Sequence, residues 1–252
     1  MRGLNLIVLG TAGAGKTALT KSFGSWISEN TDQRVAYVNL DPGCDAIPFP
    51  ADFDIREHFT VSRIMHEENL GPNGAMVRAA ELLELNVAEF SKRINEIQAD
   101  VRLIDTPGQM EVFLFHGGSR MMELLKGTSI ALFLLDAKVA TRAAGLVFSR
   151  LLELSIALRL GSPTICVLNK IDLVREKLPD IDRMATSPEA LRDRLTREES
   201  GVNADLMLSL SEVLPRLLPA ARLVKTSATA GEGMRELYDI VHEVFCACGD
   251  LT

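Results

Sequence analysis

Gly10-Thr11-Ala12-Gly13-Ala14-Gly15-Lys16-Thr17 reads as G-x-x-x-x-G-K-[ST], and its flanks decide the fold. Leu6-Ile7-Val8-Leu9 ahead of it is a short apolar run suited to a buried strand, and Ala18 to Phe23 behind it continues as a helix. That strand–loop–helix setting is the one a phosphate-binding P-loop requires. Glycines at 10, 13 and 15 let the backbone turn tightly and aim the amides around Gly13, Ala14 and Gly15 at phosphate oxygens. The helix that starts near Lys16 adds its positive end. Lys16 is placed to reach the β- and γ-phosphates, and the Thr17 hydroxyl to ligate Mg²⁺.

Outward from this motif the chain alternates strands and helices. Leu4–Leu9 is the first strand, and the helix from Lys16 to about Asn30 sets Leu19, Phe23, Trp26 and Ile27 on one face, which makes Trp26 a core residue. Arg34–Leu40 is a second strand ending at Asp41-Pro42-Gly43. An acid at the carboxyl end of a strand points into the ligand crevice of an open α/β sheet, whereas Asp before Pro is also a turn starter; beside a P-loop the first reading is favoured. Residues 42–60, with Pro42, Gly43, Pro48 and Pro50, read as a loop, and its polar run Asp54–His58 fits equally a nucleotide border or a solvated face. Gly71-Pro72-Asn73-Gly74 is a rigid turn, and apolar residues at 76, 79, 80, 83, 87, 90, 94 and 97 predict one helix of about six turns. A helix between the second strand and Asp100–Ile104 is a crossover, so those strands are expected to be parallel. Further helices are predicted over Phe115–Lys126 and Ala140–Arg159, with strands over Ile130–Leu135 and Thr164–Leu168. Residues 174–219 break the rhythm as a helical insertion with segments near 187–199 and 203–217, before a last strand at Arg222–Lys225 and a helix from Gly233 to Phe245. The expected fold is a single three-layer α/β P-loop domain over residues 1–252, with a mainly parallel sheet of about six strands.

Composition agrees. The 252 residues are 47% hydrophobic, ample for a buried core, and the net charge of −7 lacks the basic footprint of direct nucleic-acid binding. No run of 18 apolar residues and no signal-peptide pattern is present, and the four cysteines do not form a disulfide framework, so a cytoplasmic protein without a membrane span is the default.

Other motifs choose the nucleotide. Asp105 ends an apolar strand at the position that holds Mg²⁺, and the Asp105-Thr106-Pro107-Gly108 spacing lets the Gly108 N–H approach a γ-phosphate. Asn169-Lys170-Ile171-Asp172 matches N-K-x-D, whose Asp accepts two N–H bonds from guanine N1 and N2; adenine offers no such pair, so GTP and GDP are the expected ligands. Ser227-Ala228 fits the loop whose amide meets guanine O6. Asp41, Gln109 and Glu111, in that order, are candidates for orienting the attacking water: a carboxylate is the better proton acceptor, while an amide can both donate and accept.

Gly71-Pro72-Asn73, Asp105-Thr106-Pro107-Gly108-Gln109-Met110-Glu111 and the Asn169 motif together resemble the GPN-loop GTPases, archaeal members in particular, over essentially the whole chain. The resemblance implies a Mg²⁺-dependent GTPase that is a homodimer with facing sites. It implies that the Gly71-Pro72-Asn73 loop reaches the partner's γ-phosphate region, making Asn73 a trans-acting dipole in part of an arginine finger's role. Thr11 stands where some dimeric relatives of the wider class carry a further lysine, which fits this arrangement. Family members serve assembly of protein complexes, RNA polymerase among them, and the insertion offers a client surface. Alternatives are a metal-delivery GTPase using the Cys246-Ala247-Cys248 tail, a nucleotide-gated binding module with incidental turnover, and a small-molecule kinase, against which N-K-x-D speaks.

Overall fold

The computed structural model describes residues 3–217 and 223–249, the side chains of 248 and 249 excepted. Arg222, the thiol of Cys248 and tail residues 250–252, all used in the sequence reading, lie outside the described residues. The core is a seven-stranded sheet of β1 (Leu4–Gly10), β2 (Val35–Asn39), β3 (Phe53–Asp54), β4 (Val101–Asp105), β5 (Thr128–Asp136), β6 (Thr164–Asn169) and β7 (Val224–Lys225). Its order is β3-β2-β4-β1-β5-β6-β7, and every pairing is parallel. The sheet is fully parallel because every connection is a crossover carrying a helix or, between β2 and β3, a 13-residue loop. The β1 strand sits centrally between β4 and β5, so the chain reverses direction across the sheet at the P-loop, the place where open α/β sheets bind ligands.

Both faces are covered, as fully parallel sheets require. Leu4, Leu6 and Val8 of β1 face Leu19, Phe23 and Ile27 of α1 (Lys16–Asn30) and Leu237 and Val241 of α12 (Met234–Gly249). Ile7 and Leu9 face the opposite layer, which includes Phe90, Phe113 and Ile156. Trp26 is only half-buried, at the edge of α1 against Tyr238, with ring centroids 5.4 Å apart.

Several expected elements differ. The sheet gains β3, a two-residue strand inside the proline-containing 42–60 segment, too short to show a period. The single helix expected to Ile97 is two, α3 (Pro72–Leu85) and α4 (Val87–Glu96). At the break the Asn86 side-chain amide donates to the Leu82 carbonyl at 2.8 Å, competing with the helix for its own acceptor. The apolar steps of three and four run straight through this break, which hides it in the sequence. Pro72 occupies the first turn of α3 with Gly71 as its cap, so Gly71-Pro72-Asn73-Gly74 opens the helix and forms its first turn.

The helix expected over 115–126 is α5 (Met110–Phe115) and α6 (Gly118–Leu124), divided at Gly117, whose φ of 78° suits glycine. A short α7 (Ala137–Ala140) precedes α8 (Ala143–Leu160). Among the described residues between β6 and β7 lie three α-helices where two were expected: α9 (Leu178–Thr186), α10 (Pro188–Glu198) and α11 (Gly201–Leu217). An eight-residue α2 (Val61–Glu68) leads into α3.

Phe23 is fully buried where α1 meets the sheet. Phe23→Ala is therefore expected to lower the unfolding free energy by about 3–5 kcal/mol, read from urea unfolding followed by the fluorescence of Trp26, the sole tryptophan.

Candidate active site

Six of the seven strands end, at their carboxyl edge, on a residue with a polar side chain: Asn39, Asp54, Asp105, Asp136, Asn169 and Lys225; β1 ends on Gly10. This edge gathers two groups of side chains.

The first surrounds the P-loop. The Lys16 ammonium is 6% exposed and donates to the carbonyls of Gly10 at 2.8 Å, Gly108 at 3.1 Å and Thr11 at 3.2 Å. Burial lowers its pKa, while the nearby carboxylates of Asp105, Asp41 and Glu111 oppose the shift. The Thr17 hydroxyl donates to Asp105 Oδ2 at 2.6 Å. Asp105 is 1% exposed and burial pushes its carboxyl up to about 7; its other oxygen, Oδ1, has no hydrogen-bond partner. Thr106 locks the strand end by donating to the Val8 carbonyl at 2.8 Å.

Asp41 joins this group. Burial raises its pKa, opposed by hydrogen bonds from the Gly43 and Gly108 amides and by the charge of Lys16. Gln109 and Glu111 stand exposed at the start of α5. Asn73 is exposed in the first turn of α3 and is not drawn into its own chain's cluster; its amide has no partner among the described residues.

The second group centres on Asn169, which is 1% exposed. Its Nδ2 donates to the Ala14 carbonyl at 2.9 Å, while its Oδ1 accepts from the Ala228 amide at 3.1 Å and the Thr226 hydroxyl at 3.2 Å. One side chain thus ties the P-loop to the loop after β7. Gly15 is the counterpart: its φ is 96°, and a Cβ there would lie 2.5 Å from Asn169 Nδ2. Lys170, itself in the left-handed region, donates to the Gly13 carbonyl at 2.5 Å and pairs with Asp136 at 2.7 Å. The Ser227 hydroxyl donates to Asp172 at 2.5 Å, so the two segments assigned to the base meet directly.

Comparison with known proteins identifies the family. A family model described as "Conserved hypothetical ATP binding protein" matches residues 8–247. The GPN-loop GTPase PAB0955 of Pyrococcus abyssi is 38% identical over 258 residues, spanning 98% of this chain and 99% of that protein. The chain belongs to the GPN-loop GTPase family. The crystal structure of PAB0955, titled a GTPase in apo form, matches with a TM-score of 0.89 at 35% identity, covering 98% of this chain and all of that one. The GPN-loop GTPase QQT1 of Arabidopsis thaliana is 34% identical over 67% of this chain, which spans 58% of its length. The protein is a GTPase of this family, with a nucleotide-binding P-loop fold.

Within this GPN-loop GTPase the sequence reading passed over Asn39 and Asp136 at the site edge, and left Asp54 and Arg56 open between a nucleotide border and a solvated face. Asp136 was detectable, since it ends an apolar strand as Asp105 does, but the strand was read one residue short. The Asp54–His58 run splits three ways. Ile55 is core, Asp54 and Arg56 pair at 2.6 Å, and His58 stacks on Phe53 and meets Phe90 at a tilt. Of the tail cysteines, Cys246 is exposed on α12, 3.6 Å from His242 Nδ1, and no group of three His, Cys, Asp or Glu able to hold a metal occurs among the described residues.

Asn169→Ala strands the Ala14 carbonyl and the Ala228 amide. It is expected to cost about 1–3 kcal/mol of folding stability, measured by denaturant unfolding without nucleotide.

Proposed function

We propose that this GTPase is a Mg²⁺-dependent homodimeric switch, in which each protomer's Gly71-Pro72-Asn73 loop assists hydrolysis in its partner. The observation that carries the reading is the placement of that loop. It stands exposed at the start of α3, and Met76, one turn further on, reaches the Asp41 turn: a Cβ on Gly43 would lie 3.4 Å from Met76 Cε. The loop start thus lies near the Asp41 turn, and Asn73 has no hydrogen-bond partner among the described residues.

The residues present suit a hard divalent cation. Asp105 Oδ1 is a buried oxygen without a partner and Thr17 Oγ1 lies beside the same carboxylate, an all-oxygen donor pair. When bound, Mg²⁺ would neutralise charge on the β- and γ-phosphate oxygens. Lys16 exchanges its carbonyl partners for phosphate oxygens, and the amides of Gly13, Ala14, Gly15 and Gly108 donate to the same groups. Asp172 accepts from guanine N1 and N2, held by Ser227, while the Ala228 loop meets O6 and Asn169 and Lys170 brace the P-loop behind the base. Because phosphoryl transfer passes through a loose transition state, what remains is to orient water. Asp41 leads there, since it is partly buried beside Lys16, whereas Gln109 and Glu111 are exposed.

Service in assembling protein complexes, with RNA polymerase components as one client class, is part of this reading. It is supported by an unpaired apolar face: Val202, Leu206, Val213 and Leu217 stand exposed along one side of α11.

Asp41→Asn is expected to keep GTP affinity and to lose about a hundredfold or more in turnover; a rate within about twofold of wild type removes Asp41 from the mechanism. For the partner loop, Asn73→Ala and Lys16→Ala protomers are co-expressed with different tags and the heterodimer purified through both. One site then combines an intact P-loop with an intact neighbouring loop. Slow homodimers with a heterodimer at about half the wild-type rate place Asn73 in trans. A heterodimer that forms and binds GTP without recovering confines Asn73 to its own chain.

A further inference from the structure

We infer that Arg56 is the positioning residue for Asp41, acting through a clamp built on the carboxylate of Asp54; the inference rests on the reading of Asp41 as the group that orients water. Asp41 lies in the 40–52 connection between β2 and β3, which has no regular structure. A carboxylate on such a segment samples many directions unless something holds the backbone. Two sets of hydrogen bonds do so here, and both are anchored on Asp54.

On the amino-terminal side, fully buried Asn39 ends β2. Its Oδ1 accepts from the Asp41 amide at 3.1 Å, and its Nδ2 donates to Asp54 Oδ1 at 2.9 Å. On the carboxyl-terminal side, Arg56 forks onto Asp54, with Nε 3.0 Å from both oxygens and Nη2 2.6 Å from Oδ2. Its remaining nitrogen, Nη1, donates to the carbonyls of Asp45 at 3.1 Å and Cys44 at 3.3 Å. The turn between these anchors closes on itself, the Gly43 amide donating to Asp41 Oδ1 at 2.8 Å. The Asp41 carboxylate is thus aimed by a turn pinned at both ends to one carboxylate–guanidinium pair.

The pair is built to hold. Arg56 and Asp54 are 21% and 14% exposed, and the fork geometry is the strong bidentate kind. Burial pushes the Asp54 carboxyl up, but the hydrogen bonds from Arg56 and Asn39 outweigh it and keep the group below its ordinary value. The fold does not call for a guanidinium at this place. Fully buried Ile55 anchors the turn by packing, and among the described residues the hydrogen bonds of the Arg56 side chain go only to Asp54 and to the Asp41 loop. Lysine offers one point charge and cannot reproduce the fork together with the two carbonyl bonds.

The test is a double-mutant cycle on the full chain, with GTP affinity, turnover and thermal unfolding measured for Arg56→Ala, Arg56→Lys, Asp41→Asn and both combinations. Arg56→Ala is expected to lower kcat by about tenfold to a hundredfold with GTP affinity unchanged, Arg56→Lys to recover only part of it, and neither to slow the Asp41→Asn protein further. If Arg56→Ala fails to fold, the Arg56→Lys arm of the cycle carries the same comparison. A slow Asp41→Asn protein that loses the same additional factor on changing Arg56 overturns the positioning role alone. An Asp41→Asn protein that turns over at the wild-type rate overturns the reading of Asp41 and the inference with it.

Discussion

The carboxylate of Asp105 is buried at the end of β4 with one oxygen held by Thr17 and the other by no group among the described residues. Burying a carboxylate is costly unless it is matched, and the upward push on its pKa is the measure of that cost. Lys16 is subject to the same burial with the opposite sign, its shift being downward. Burial disfavours the charged form of each, while their opposite charges partly offset that cost, so the P-loop edge holds a desolvated pair of opposite sign. Parallel pairing of β1 with β4 creates this confrontation: Val8 stands level with Asp105, so the loop after β1 passes directly over the carboxylate.

Much of this was legible in the sequence because phosphate and base recognition need particular residue types at fixed spacings. Lys16, Thr17, Asp105, Asn169 and Asp172 each end or follow an apolar run, and the apolar runs of β1, β4, β5 and β6 announce strands buried on both faces. What escaped was decided by tertiary context. The β3 strand exists because β2 offers it an edge, through pairing of Asn39 with Asp54. The break at Asn86 is made by one side-chain hydrogen bond and leaves the apolar spacing untouched. Helix α9 packs through only two buried apolar residues, Ile181 and Met184, too few to set a period. Arg56 and Asn39 sit in no motif; their part at the site is visible only once the loop that they hold has a path.

The molecule also divides by function along the sheet edge. The Asp41 turn and the Gly71-Pro72-Asn73 start of α3 lie on the β2–β3 side. The helices α9–α11 are fastened at the base side: Lys225, next to the Thr226-Ser227-Ala228 segment, pairs with Asp182 at 2.6 Å, and Arg175 pairs with Glu232 at 2.5 Å. Glu198 of α10 accepts from the Ala143 amide at 2.9 Å and so caps α8. The ion pairs are exposed and individually weak, but the cap lies at a helix start where an acid is favoured.

The meeting of Gly15 with Asn169 has a bearing on how such a chain can change over generations. A methyl group at position 15 would occupy the space of the Asn169 amide, and a larger or reshaped residue at 169 would leave the Ala14 carbonyl without its donor. The two positions are 154 residues apart in the chain, yet a substitution at either one disturbs the packing or hydrogen bonding of the other. Drift at position 169 is therefore coupled to drift at position 15, and a change at one is accommodated best when the other changes with it.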